Sequence, residues 1–532
     1  MNVPEEFTYV PAVPPTPVVV KRQAFELRNS LDTIDTTNTH FEFRINQRTF
    51  VDLKSFYLNF DLRLHILSTD AAVQAVFAAK FANFRNRLNI DGFHLFKEIV
   101  LRNESGTVIE RLQEVGVLSE IYKSLFATPS YLDTHGQVFD SSSTGISHNY
   151  GYVKSDGTTS NAITSAYPSV SAGSDCLSAW NWDGAHILSK TYHCPVLKLL
   201  GFFQTGKVIR PSTFGGLAIE FILHSNFYEA IQLDNLAGGA KVADMQAEAQ
   251  KIEKFSLSNV RLNFDECIVD SAYEQYYNDN YDTRGFRLDI ETVDYTSSQL
   301  PTNTAMQSLR VLKIPFSVSN ARALTSVIRP QSVMTTKGYR NTTFLPPSLT
   351  KPWRYQYVNM GGRYPLVPVE SFTSNVQEVN KFKRHTQTLT QDTMYTLSNI
   401  TRPFSIRGGV DTTAATGFPK SIYPLQRGSG GRFMLFAHLE RVLNSRYTGI
   451  PLDANSLVLE VIMGNEMTDQ NYYDVPFDAD LGLHTVATFN NNQANFDTYR
   501  KVSYENSGYQ VDSFVLYTSS VYVMNGQISV TK

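Results

Sequence analysis

Phe56-Tyr57-Leu58-Asn59-Phe60-Asp61-Leu62-Arg63-Leu64-His65-Ile66 sets Phe56, Leu58, Phe60, Leu62, Leu64 and Ile66 on one parity and every polar residue, with Tyr57, on the other. Successive side chains of an extended backbone point to opposite faces, so this unbroken period of two predicts a long strand with one buried face. The pattern precedes it in Phe41, Phe43 and Ile45, which alternate with Glu42, Arg44 and Asn46. It returns in Leu217, Ile219 and Phe221, in Val260, Leu262 and Phe264, and in Leu457, Leu459, Val461 and Met463. At the C-terminus, Val521 to Met524 runs through Asn525-Gly526 into Gln527 to Val530. Asn-Gly accepts the positive φ values of a type I′ turn, so a closing hairpin is expected.

Composition supports an all-β chain. Its 532 residues hold 34 Phe and 28 Tyr against 3 Trp, and such rings favour half-buried pleated surfaces. Apolar residues at 42% and charged residues at 18% exclude a highly charged disordered chain and a coiled coil. At about 150 residues per domain the length predicts three or four units, or two large all-β ones. The net charge of −3, from 47 basic and 50 acidic residues, supplies no whole-molecule attraction to nucleic acid or anionic membrane. Met1 to Arg22 has neither a basic nor an apolar signal region, and no run approaches the roughly 18 apolar residues of a membrane span, so a soluble chain made inside a cell is expected. Cys176, Cys194 and Cys267 form no CxxC pair and read as free thiols.

The first 22 residues carry Pro4, Pro11, Pro14, Pro15 and Pro17, then Val18-Val19-Val20 and Lys21-Arg22. Proline fixes φ and withholds a donor, so residues 1–22 are expected to form an extended arm outside any central strand. Helical spacing occurs in Ala71 to Leu88, in Glu110 to Phe126 and in Val369 to Arg384, each as a core-facing stripe. Ser130 to Trp182 and Arg402 to Arg432 are long polar stretches suited to surface loops. Two halves share one plan. Strand-like Phe93 to Arg102 precedes the helical pattern from Glu110, with strands around Leu199 to Ile209 and Leu217 to Leu223 later; Trp353 to Asn359 precedes the one from Val369, with Phe433 to Val442 and Leu457 to Met463 later. Gly238-Gly239 and the polar run after it divide them. The expected domains are an arm at 1–22, a first sandwich at 23–240, a linker at 241–255 and a second sandwich at 256–532.

Motifs of chemistry do not complete themselves. Gly201-Phe-Phe-Gln-Thr-Gly206-Lys207 has the spacing of a phosphate-binding loop, yet Val208 stands where a hydroxyl should hold Mg²⁺, and a strand ending in a turn is the expectation. His193 and Cys194 are adjacent and would face opposite sides of a strand, which makes no metal site. Asp279 to Asp282 and Asp478 to Asp480 lack the alternating oxygens of a calcium loop and read as solvated turns. Arg427 to Arg432 lacks the spacing of a nucleophile elbow. The sequons at Asn103, Asn341 and Asn399 read as chance matches, and Lys80, Arg85 and Arg87 as a solvated helix face. No catalytic, metal-binding or cofactor-binding residue is predicted, and no cofactor.

The arm, the opening from Phe43 to Leu64, the Leu200 to Ile209 and Leu217 to Leu223 segments and the repeated plan resemble the double jelly-roll major capsid proteins of double-stranded DNA viruses, in the style of virophages, polinton-like viruses and adintoviruses. That resemblance implies an all-β chain of two jelly-roll sandwiches side by side, with a few short helices in loops. It implies a homotrimeric, pseudo-hexameric capsomer in an icosahedral virion shell, with neighbouring capsomers, penton and minor capsid proteins as partners. An internal membrane is a further candidate partner, and specific nucleic-acid binding is not expected. Pro11, Pro14, Pro15, Pro17, Val18, Val19, Val20, Lys21 and Arg22 would tie neighbours together beneath the shell, and their removal with the rest of Met1 to Arg22 would spare folding. A carbohydrate-binding or carbohydrate-cleaving β-sandwich is the alternative, although no paired carboxylates stand out for it.

Overall fold

The computed structural model describes residues 19–31, 33–35, 37–66, 88–89, 92–126, 170–171, 174–175, 181–182, 187–224, 232–233, 252–300, 309–330, 344, 353–383, 433–440, 449–462, 509–524 and 526–532. The first lobe is built from β1 (Val19–Arg28), β2 (His40–Ile45), β3 (Phe50–Ile66), β4 (Phe96–Asn103), β5 (Val108–Gln113), β6 (Ile187–Cys194), β7 (Leu217–Leu223) and β8 (Ile252–Val269). All pairs are antiparallel, in the orders β1-β8-β3-β6 and β2-β7-β4-β5. The second lobe comprises β9 (Phe286–Leu300), β10 (Arg310–Lys313), β11 (Val318–Pro330), β12 (Arg354–Asn359), β13 (Gly362–Val369), β14 (Leu435–His438), β15 (Val458–Ile462) and β16 (Tyr509–Met524). Its orders are β9-β16-β11-β14 and β10-β15-β12-β13. Adding eight to every index of the first lobe gives the second. Each lobe is therefore the same eight-stranded, two-sheet jelly roll.

The helices repeat as well: α1 (Val115–Phe126) follows β5, and α3 (Phe372–Lys383) follows β13. Between the lobes lie α2 (Ser271–Tyr277), capped by the Asp270 carboxylate accepting from the Ala272 amide, and a π-helical turn, Asn278–Asp282. Short strands extend the larger sheets, including β17 (Gln527–Thr531), which closes the expected hairpin on β16 with Gly526 at φ +74°. No helix among the described residues is long and apolar enough to cross a membrane.

Alternation in β3 becomes burial. Phe56, Leu58, Phe60, Leu62 and Leu64 are all within 1% of full burial, each worth about 1.5–3 kcal/mol relative to exposure. Phe56 stacks on Phe264 of β8 at 4.6 Å and Phe60 on Tyr192 of β6 at 5.3 Å between ring centroids. In the second lobe the central strands of the larger sheet, β11, β14 and β16, are buried on both faces. Leu324, Ile328, Val511, Val515, Leu435 and Ala437 join that lobe's own core, while Ala323, Val327, Phe514 and Phe436, of opposite parity on the same strands, join the core of the first lobe. The two jelly rolls thus share a buried apolar junction.

Four expectations are corrected. Ile252–Val269, assigned to the linker and second sandwich, pairs with β1 and β3 as an inner strand of the first lobe, so the connection lies at α2 and Asn278–Asp282; alternation fixes a strand's faces but not its partner. Val19 to Arg22, assigned to the arm, open β1 and pair with Val269 to Cys267. Glu110 lies within β5, and the helix begins at Val115. The strand expected around Leu199 to Ile209 is instead a 3-10 turn, Val196–Leu199, a helical turn, Gly201–Gln204, and a two-residue strand, Val208–Ile209. Of the helical pattern expected at Ala71 to Leu88, residues 71–87, with Lys80, Arg85 and Arg87, fall outside the described residues, as do most of Ser130 to Trp182 and all of Arg402 to Arg432.

Candidate assembly sites

β1 is the edge strand of its sheet, held on one side by β8 from Val19↔Val269 to Arg28↔Arg261. Arg22 anchors its start: Nη2 meets Asp52 Oδ2 at 2.5 Å and Nε meets Asp265 Oδ2 at 2.7 Å. The hydrogen bond that Arg22 donates to Asp265, with Asp52 beside it, raises the Arg22 pKa further. Val19 and Val20 are exposed, Val20 by 65%, and Lys21 is exposed beside them. Pro11, Pro14, Pro15, Pro17 and Val18 lie outside the described residues. Removing Met1 to Arg22 would therefore take the Arg22 bridges and four residues of β1 with it. A cut that spares the sheet ends before Val19.

The junction between lobes is the second site. The first lobe presents β5, the helical turn Gly201–Gln204 and the 3-10 turn Pro211–Phe214 to β9, β16 and β17. At its centre the Glu110 carboxylate, buried, accepts from the amides of Gly201 (2.8 Å) and Phe202 (2.9 Å), with the Thr292 hydroxyl of the second lobe as a third donor. The Gly201-to-Lys207 segment does offer its amides to an anion, and that anion is a side chain of the same protein. Burial pushes the Glu110 carboxyl up to about 7 against hydrogen bonds that favour its ionised form. Close by, Arg322 bridges Glu291 and Glu440, and Arg329, fully buried, pairs with Asp512 and lies 3.6 Å from Glu114 of the first lobe.

A raised carboxyl pKa means the folded protein holds a proton that the unfolded chain has released. The stabilisation from Glu110 is then complete below about 4.5, is lost as pH rises towards 7, and is flat above. Thermal midpoints measured from pH 4.5 to 7.5 should fall more steeply for the natural protein than for Glu110→Gln. Parallel curves would contradict the assignment of this titration to Glu110.

On the connection, Arg210 bonds Asp282 and donates to Asn278 Oδ1 at 2.6 Å, and Thr213 donates to Asp282 Oδ1 at 2.6 Å. Asp282 is thus a clasp between the first lobe and the connection, where a solvated turn was expected; Asp478 to Asp480 lie outside the described residues. His193 and Cys194 face opposite sides of β6, with the His193 ring bonding Asn59 and Cys194 buried. Among the described residues no cluster of side chains could hold a metal ion. Asn103 is fully buried, its Oδ1 accepting from Ser105 and Thr107, so that sequon is closed to modification in the folded protein.

A further surface had no sequence signal. Among the described residues β13 is an edge strand of its sheet, and it carries Leu366 at 85% and Val367 at 72% exposure, between Pro365 and Pro368. Edge strands of this kind are blunted by proline against indiscriminate pairing, while two large exposed apolar side chains in sequence suit burial against another surface.

No family model and no curated protein sequence matches the chain. Among solved structures, a chain of the Sputnik virophage matches with a TM-score of 0.54 at 8% identity, covering 100% of this chain and 92% of that one. The mavirus major capsid protein matches at 0.49 and 9% identity, covering 100% and 95%. The PBCV-1 virus capsid matches at 0.48 and 10%, covering 99% of each chain. The chain has the double jelly-roll fold of double-stranded DNA virus capsid proteins.

Proposed function

We propose that this protein is a major capsid protein whose three copies form a pseudo-hexagonal capsomer, and that capsomers tile the icosahedral shell of a virion. The observation that carries this is the repeated strand order joined through one buried junction. Two equivalent lobes held rigidly side by side let three chains around a closed threefold present six similar units. The role is structural, and it asks for extended contact surfaces in place of a reactive cleft. The β13 edge is one such surface. Residues 1–10, which precede the Pro11–Val18 segment and the edge strand β1, are a second, tying neighbouring capsomers beneath the shell. Penton and minor capsid proteins complete the shell in this account, with an internal membrane as a further candidate partner.

Light scattering of the purified protein should give about 180 kDa, three times 59.9 kDa. The double substitution Leu366→Asp and Val367→Asp, at side chains that contribute little to folding, should shift the mass towards about 60 kDa, the single chain. A natural protein that stays monomeric at all concentrations contradicts the proposal, and a trimeric variant removes β13 from the contact.

A further inference from the structure

The connection between the lobes carries more aromatic surface than a linker needs. Tyr277 packs edge-on to Phe50 at 4.9 Å and Tyr273 lies 6.0 Å from the same ring. From there the rings continue outward: Tyr276 is 6.2 Å from Tyr273 and 6.1 Å from Tyr281, and Tyr281 is 6.0 Å from Phe286. Tyr277 is buried, whereas Tyr276 is 52% exposed and Tyr281 is also exposed. A buried base holds the outer rings in place, and these form a ridge of exposed aromatic surface along α2 and the turn after it.

What covers the ridge is indicated by where β1 begins. Val19 pairs with Val269, which packs against the Phe50, Cys267 and Tyr277 cluster, two residues before α2 starts at Ser271. β1 runs antiparallel to β8. Val19, where β1 begins, therefore stands at the end of the sheet from which β8 runs on into α2. Eighteen residues precede Val19, and the last eight are Pro11-Ala12-Val13-Pro14-Pro15-Thr16-Pro17-Val18, without a charge. A polyproline II helix has three residues per turn, which would align Pro11, Pro14 and Pro17 along one edge. At about 3.1 Å per residue, eight residues reach roughly 25 Å, against about 10 Å for the seven residues of α2. Such segments dock on aromatic rings at low entropic cost because their backbone is already ordered.

We propose that Pro11–Val18 packs in a polyproline II conformation across the Tyr273, Tyr276 and Tyr281 ridge of its own chain. The ridge takes one proline edge, and the exposed Val20 continues the apolar strip into β1. The inference stands on the fold alone and holds or fails whether or not the protein builds a shell.

The test uses the full-length protein in solution. With photoreactive benzoylphenylalanine at position 276, irradiation should give a cross-link within a single chain that mass spectrometry maps to residues 11–18. An adduct of two chains overturns the same-chain arrangement, and no cross-link to the segment overturns the docking. Elastase cleavage after Ala12 should accelerate at least about tenfold in a Tyr276→Ala, Tyr281→Ala variant, since cleavage follows the population of the open form, while Tyr276→Phe, Tyr281→Phe should retain protection. Pro14→Ser with Pro17→Ser changes only the segment, so it leaves the folded body intact and should produce the same acceleration. Unchanged cleavage in both the alanine and serine variants overturns the proposal.

Discussion

Arg329→Met is expected to lower the free energy of unfolding by about 3–5 kcal/mol, because removing one partner of a buried ion pair strands the other. Arg329 and Asp512 are both fully buried, on β11 and β16, and Glu114 of the first lobe approaches Arg329 at 3.6 Å. Asp512 Oδ1 keeps the Tyr295 hydroxyl at 2.8 Å and the Gln510 amide at 2.6 Å, but these neutral donors do not replace a guanidinium. Chemical denaturation should show the loss directly. Adding Asp512→Leu to Arg329→Met should recover most of it, since an apolar pair needs no desolvated charge. If the double variant is as unstable as the single one, the loss comes from packing and not from the stranded carboxylate. The Glu114 contact further predicts that Arg329→Met loosens the two lobes together and not the second lobe alone.

Gly201→Ala should be comparably severe. A Cβ at this position would sit 1.8 Å from the Glu291 carbonyl oxygen and 2.6 Å from its carbon. Both are main-chain atoms of β9, so no side-chain rotation relieves the clash and the lobes must move apart. Moving Gly201 also pulls its amide from the Glu110 carboxylate. Overpacking costs typically 1–3 kcal/mol and occasionally more, and a loss of at least about 3 kcal/mol is expected with two main-chain atoms in the way. The thermal midpoint should drop and α2 should become open to protease. A Gly201→Ala protein with the natural midpoint would mean that the lobes are not packed as described.

The same residues show what local sequence can and cannot carry. β3 was legible because one face is buried and the other is not, so burial follows sequence parity. β11 was not legible that way. Residues 321–329 are buried on both faces of the sheet, and a strand between two apolar layers loses its period of two. Its run of Ala, Leu, Val and Ile was the available signal. Glu110 sits in a window of helical spacing, but its carboxylate is committed to amides 91 and 92 residues away, a partner no local pattern reveals. For the same reason β8 was recognised as a strand and assigned to the wrong lobe. The last proline of the arm, Pro17, lies two residues before β1; the expected arm overran that limit by following Val18 to Arg22. β13 escaped notice because Pro365 and Pro368 disguise an edge strand, where proline is tolerated.

The most direct test of the account is electron microscopy of the purified natural protein. It predicts particles with threefold symmetry and a six-lobed outline, two lobes to each chain. Isolated two-lobed particles at every concentration, together with tight binding to a glycan panel, would contradict it.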